Sequence, residues 1–149
     1  MKFSKMTKCA DFYLMPANTV TEQWKTACRL LAKAFEHNQD AYVHVNDAEA
    51  AHQFNDLLWT FRDISFVPHQ LAFESAEIDA PIKIGYQAPP SGKNNILVNL
   101  TDTIPDFSDL FDRIIEIIPQ EKTAEINARK RYKIYQQNGR DINTHDLRK

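Results

Sequence analysis

The sequence predicts an α/β domain in which a mostly parallel sheet is covered on both faces by helices. Two observations lead there. Short apolar runs alternate with stretches whose apolar residues recur every three or four positions, the patterns of strands and amphipathic helices taken in turn. The chain has 149 residues, 43% apolar and 26% charged, which suits one globular domain able to bury a core. None of its apolar runs approaches the roughly 18 to 20 residues that cross a bilayer, so no membrane association is expected.

Each element has its own local reason. Cys9-Ala10-Asp11-Phe12-Tyr13-Leu14 reads as a short buried strand closed by the Pro16-Ala17-Asn18 turn. Thr19 or Thr21 can cap the next helix, whose apolar stripe is Trp24, Ala27, Cys28, Leu31, Ala34 and Phe35. Tyr42-Val43-His44-Val45 is a second strand. Asn46 or Asp47 then opens a second helix, with Ala50, Ala51, Phe54, Leu57 and Leu58 on its apolar side, running toward Trp59. Residues 61–75 have a mixed pattern and include Phe66-Val67-Pro68-His69, where the proline argues against a central strand, so an ordered loop is expected.

Pro81-Ile82-Lys83-Ile84-Gly85 alternates like a half-buried strand, and Ala88-Pro89-Pro90-Ser91-Gly92-Lys93 is the most loop-like segment. Ile96-Leu97-Val98-Asn99-Leu100 is the best central strand. Residues 107–111 allow a short helix opened near Asp106. Ile114-Ile115-Glu116-Ile117-Ile118 is apolar and β-branched enough for a last buried strand ending at Pro119, with helix as the alternative. A helix over residues 121–137 completes the order, and Gly139 is its stop signal. Residues 140–149 are polar and are expected to form a loosely packed tail on a single domain.

Several chemistries are disfavoured. Gly85, Gly92 and Gly139 are the only glycines, and they build neither a P-loop nor a dinucleotide fingerprint. Cys9 and Cys28 have no metal-ligand spacing and are expected to be reduced and structural. The histidines are scattered: His44 and His52 lack a third ligand at zinc spacing, and His69 suits a loop hydrogen-bond donor better than a general base. Asp102 and Asp106 follow the best strand, where α/β folds place ligands, although turn and cap roles explain them. No metal, cofactor or catalytic residue is therefore expected. The basic start, without a secretory apolar core, makes the cytoplasm the expected location. A net charge of −2 gives the whole molecule no pull toward a phosphate backbone, so DNA is expected to be reached only indirectly.

Two features point to partners instead. Ala128-Arg129-Lys130-Arg131-Tyr132-Lys133-Ile134-Tyr135 is cationic and aromatic, and a helix sets Arg129, Tyr132 and Lys133 at i, i+3 and i+4 on one face. Guanidinium forks and a phenol ring suit an acidic peptide, although a solvated helix face would carry the same charges. Trp59, Phe61 and Phe66 bring three large rings into a short stretch, as either core packing or an interface centre.

In this order, Ala10-Asp11-Phe12-Tyr13-Leu14, Leu58-Trp59 with Ser65-Phe66-Val67-Pro68-His69, Ile96-Leu97-Val98-Asn99-Leu100, and the basic helix with Gly139 resemble the chi-subunit family of bacterial DNA polymerase III over essentially the whole length. The resemblance implies a Rossmann-like three-layer sandwich without nucleotide chemistry and without an activity of its own, inside a DNA-directed DNA polymerase (nucleotidyltransferase) complex. It implies an adaptor for DNA replication with two surfaces. One holds the psi subunit, which links to the clamp loader, and maps onto Trp59, Phe66, Val67 and Pro68. The other holds the acidic C-terminal tail of single-stranded-DNA-binding protein and falls on Arg129, Tyr132 and Lys133, with Ile118 and Pro119 as apolar wall. A repair helicase as a second user of the psi surface is left open.

One residue departs from the family pattern. Glu125 stands where the family has a lysine one turn before the arginine, and it would repel an acidic tail. Either Lys122 or Lys130 compensates, or the site is weaker or differently arranged. The rival reading is a small-molecule or nucleotide-binding enzyme using the carboxyl edge of the sheet, and a direct nucleic-acid binder on the basic helix is a third.

Overall fold

A computed structural model describes residues 8–61, 67–73, 80–89 and 95–148. Their elements are β1 (Cys9–Leu14), α1 (Val20–Glu36), β2 (Ala41–His44), α2 (Ala48–Thr60), β3 (His69–Leu71), β4 (Ile82–Gly85), β5 (Ile96–Asn99), a single 3-10 turn (Ser108–Leu110), β6 (Arg113–Ile118), α3 (Lys122–Gln137) and β7 (Asp141–Asp146). The sheet has the order β3-β4-β2-β5-β6-β1-β7, and every pairing is parallel. An α/β Rossmann-like sandwich is the result.

The period of two along each strand sorts side chains between the layers. On β6, Ile115 and Ile117 face the core shared with α1 and α2, while Ile114 and Ile118 face the core shared with α3. On β5, Ile96 and Val98 go to the first core and Leu97 to the second. α1 contributes Ala27, Cys28, Leu31 and Ala34, and α2 contributes Ala51, Phe54 and Leu58. Burying a side chain the size of Leu31 or Phe54 stabilises the fold by about 1.5 to 3 kcal/mol.

The helix starts are set by side-chain caps. Thr19 accepts from the Glu22 amide at 3.2 Å, Asp47 from the Ala50 amide at 2.8 Å, and Glu121 from the Thr123 and Ala124 amides at 3.0 and 2.9 Å. These two amides hold the Glu121 carboxyl below its usual range. α3 ends where Gly139 takes a φ of +87°, a conformation that would strain a side chain.

Two sequence expectations are corrected. Within the stretch expected to be loop, His69–Leu71 form β3, an edge strand beside β4. Pro68 precedes this strand and so costs it no ladder hydrogen bond. The supposed loose tail is β7, paired in register with β1 from Cys9↔Asp141 to Leu14↔Asp146. Its polarity misled because an edge strand lies half in water. Arg140, just before it, is buried and donates to the carbonyls of Cys9, Ser108, Phe111 and Asp112 at 2.9 to 3.3 Å.

Asp11, in the middle of β1, ties the two neighbouring strands to it. Its carboxylate accepts from Arg113 Nε on β6, from Asn143 Nδ2 on β7 at 3.0 Å, and faces His145 Nε2 at 3.3 Å. Burial pushes the Asp11 carboxyl up, but the bonds from Arg113, Asn143 and His145 outweigh it and hold the group below its ordinary value. The native state therefore binds fewer protons than the unfolded chain in this window. The resulting stability is fully present above the ordinary aspartate value and is lost as pH falls through the lower native one. Asp11→Asn is expected to destabilise by about 1 to 3 kcal/mol and to flatten the acid limb of the stability curve. Urea titrations at several pH values check this, and an unchanged acid limb would remove Asp11 from the effect.

Candidate functional site

α3 lies across the second core with Ala128, Arg131 and Tyr135 turned inward. That setting depends on a polar cluster. Glu116 of β6 is 1% exposed, and its carboxylate accepts from Arg131 Nε at 3.1 Å, Tyr135 Oη at 2.6 Å and Asn99 Nδ2 at 2.9 Å. Arg131 also donates to the Asp102 carbonyl at 2.7 Å. Burial pushes the Glu116 carboxyl up while the Arg131 charge and the three donors favour its ionised form. Burial and the facing Glu116 charge also push the Tyr135 phenol far above its usual value, so it serves as a donor. Arg131 thus leaves the cationic surface seen in the sequence and becomes an internal tether.

With that stripe fixed, residues one position removed rise beside the strand ends. A groove of about 470 Å³ opens between α3 and the carboxyl ends of β1 and β6. Phe12, Leu14, Ile118 and Ala128 make it apolar, and Arg129, Tyr132, Lys133 and Gln136 line it along α3. The Tyr132 ring, 37% exposed, packs against Phe12 with centroids 5.5 Å apart. Glu125 and Arg148 also line the groove. A pocket with an apolar floor, an amphipathic ring and cations at its rim can hold a hydrophobic side chain and its neighbouring carboxylates together.

The structure therefore brings together Arg129, Tyr132, Lys133 and Ile118. Pro119 lines a neighbouring cleft at the carboxyl edge of the sheet, with Asn18, Asn46, Thr101 and Asp102. Phe12, Leu14, Gln136 and Arg148 were missed in the sequence reading. A strand's apolar residues show no sign of which helix will flank them, and Arg148 sat in the supposed tail. The buried tether did have a signal, because Glu116 interrupts an isoleucine run and a carboxylate there demands a cation.

The second region lies on α2 and β3. Trp59 is 54% exposed, against the core alternative, and its ring contacts His69 with centroids 4.5 Å apart. His69 Nδ1 donates to the Val67 carbonyl at 2.7 Å, the hydrogen-bond role expected of it. Val67 is buried in the core with 4% exposure, so it offers a partner no side chain, and Pro68 is half-buried. Phe66 lies outside the described residues. Nearby, Phe73 is 40% exposed and contacts the rings of His52 and Tyr86 at 5.7 and 5.2 Å.

Among the described residues, no group of three potential ligands gathers for a metal ion, and no helix is long and apolar enough to cross a membrane. Burial pushes the Cys28 thiol up to about 12, which leaves it inert.

Comparison with known proteins gives a consistent result. The chain is 34% identical to DNA polymerase III subunit chi of Pseudomonas aeruginosa over 137 residues, covering 92% of this chain and 95% of that one. It is 29% identical to subunit chi of Haemophilus influenzae, covering 95% and 99%, and 30% identical to that of Escherichia coli, covering 92% and 97%. Among solved structures, T4 UvsW superposes with a TM-score of 0.60 at 12% identity, covering 95% of this chain but 42% of that protein, a likeness of fold alone. The family model for "DNA polymerase III chi subunit, HolC" matches residues 6–143, and the chain belongs to that family.

Proposed function

We propose that the chain is a noncatalytic accessory subunit of DNA polymerase III that carries the acidic C-terminal tail of single-stranded-DNA-binding protein in the α3 groove and the psi subunit on the Trp59 face. Such an adaptor would tie the clamp-loader assembly to coated template. The observation that carries the reading is the groove itself: Arg129 and Lys133 flank Tyr132 above an apolar floor of Phe12, Leu14 and Ile118. The groove lies on α3 and Trp59 on α2, in different layers, so each surface can be occupied separately.

A peptide copying the acidic tail is expected to bind with micromolar affinity, about −8 kcal/mol, from a few charge-assisted contacts around one buried side chain. Arg129→Ala is expected to weaken it by about 1.5 to 3 kcal/mol, because the lost fork is a charged hydrogen-bond donor. Isothermal titration calorimetry measures both quantities. Unchanged affinity in the variant would take Arg129 out of the site, and no binding to the wild type would sink the tail assignment.

A further inference from the structure

The groove contains a conflict. Glu125 lines it together with Arg129 and Lys133, so an acidic ligand must approach a fixed carboxylate. Lys122 and Lys130, the two lysines that could compensate on sequence grounds, are exposed and do not line the groove, so any compensation beyond Arg129 and Lys133 comes from elsewhere. It comes from beyond β7. The Leu147 amide donates to the Leu14 carbonyl at 2.9 Å, which extends the β7 ladder onto the groove's own floor strand and delivers Arg148 to the groove.

The Arg148 guanidinium is oriented from one side. Its Nε and Nη2 donate to the two carboxylate oxygens of Asp146 at 2.9 and 3.1 Å. Its Nη1 stands 4.0 Å from Glu125 Oε2, an ion-pair distance too long for a hydrogen bond. Side-chain exposures of 39% and 33% leave both partners reachable from solvent. A guanidinium has five N–H groups, and the fork on Asp146 employs two of them. The Nη1 side is thus available to an incoming carboxylate, and the guanidinium charge, shared with the closer Asp146, offsets part of that of Glu125.

We propose that Arg148 is a ligand-contacting cation of the groove, and that its pairing with Glu125 is what lets a groove holding that carboxylate accept an acidic peptide. This rests on the tail-binding reading above and deepens it: Arg129, Lys133 and Arg148 line the groove with its apolar floor, and Arg148 stays beside Glu125 while its Nη1 side meets the ligand.

The test is a double-mutant cycle in the full chain, titrating an acidic peptide that ends in an apolar residue. R148A is expected to weaken binding about five-fold or more, and E125Q to strengthen it about two-fold in the wild type but about five-fold when Arg148 is absent, because the two side chains are coupled. R148K keeps the charge but not the fork on Asp146, and is expected to bind within about two-fold of wild type. R148A binding within about two-fold of wild type overturns the proposal, as does a gain from E125Q that is equal in both backgrounds. A loss in R148K as large as that in R148A makes Arg148 a clamp for the end of β7 and also overturns it. If the wild-type chain does not bind the peptide, the tail reading fails first and takes the Arg148 assignment with it. If R129A weakens binding while R148A does not, the tail reading stands without Arg148.

Discussion

Replacing Arg131 with methionine is expected to destabilise the protein by about 3 to 5 kcal/mol, because it strands a buried carboxylate while leaving apolar packing nearly intact. Glu116 is 1% exposed, and Arg131 is the cation bonded to it, at 3.1 Å. Tyr135 and Asn99 would still donate, but neither brings a charge. The stranded group would raise its pKa further and take up a proton. With the native value above the unfolded one, the native state binds more protons, so the loss is smallest at low pH and grows as pH rises through the window between the two values. Urea denaturation of R131M between pH 4 and 8 measures this, and the double variant E116Q/R131M is expected to recover part of the loss. A uniform loss below about 1 kcal/mol would mean that Glu116 does not depend on Arg131. Because the same tether sets the rotation of α3, R131M is also expected to blur the groove and weaken acidic-peptide binding.

Trp59→Ala is expected to reduce psi capture by about 2 kcal/mol or more, roughly 30-fold, while scarcely changing stability. A ring that is 54% exposed contributes little core packing, so its truncation acts mainly on whatever it meets outside. Binding of an acidic peptide in the α3 groove is expected to stay near wild type, since α2 packs in the first core and α3 in the second. Surface-immobilised psi and calorimetry with the peptide give the two readouts, with circular dichroism to verify folding. Loss of both activities in a folded variant would merge the two surfaces into one. Retention of full psi binding would place the psi contact elsewhere, with Phe73 beside His52 and Tyr86 as the next exposed ring to replace.

Legibility in the sequence followed period and burial. β1 was read to the residue, because its apolar run is bounded by a turn. β5 and β6 were read to within a residue, and the caps Thr19 and Asp47 were among the alternatives named. β3 and β7 were missed for one reason. Both are edge strands, at opposite ends of the sheet, and a strand hydrogen-bonded on one side can be short or polar without penalty. At the site, i, i+3 and i+4 spacing placed Arg129, Tyr132 and Lys133 on one face, since local helical geometry decides that. Arg131 was read only as one cation of the basic stretch, because sequence gives the phase of a helix but not which stripe faces the sheet. Phe12, Leu14 and Arg148 reach the groove through pairings across more than a hundred residues, beyond any local pattern.

The position of β1 between β6 and β7 has a consequence in time. Its bonds through Asp11 reach partners 102 and 134 positions later in the chain. Contacts of such separation form late, because a large loop must close before they give anything back, and they slow folding relative to local structure. During synthesis at about 5 to 20 residues per second, β1 would emerge early and wait for seconds with both ladder edges open, a template for improper pairing. In that interval the carboxylate of Asp11 and the hydroxyl of Tyr13 make the strand less uniformly apolar, and so a poorer template for improper pairing than an unbroken apolar run would be.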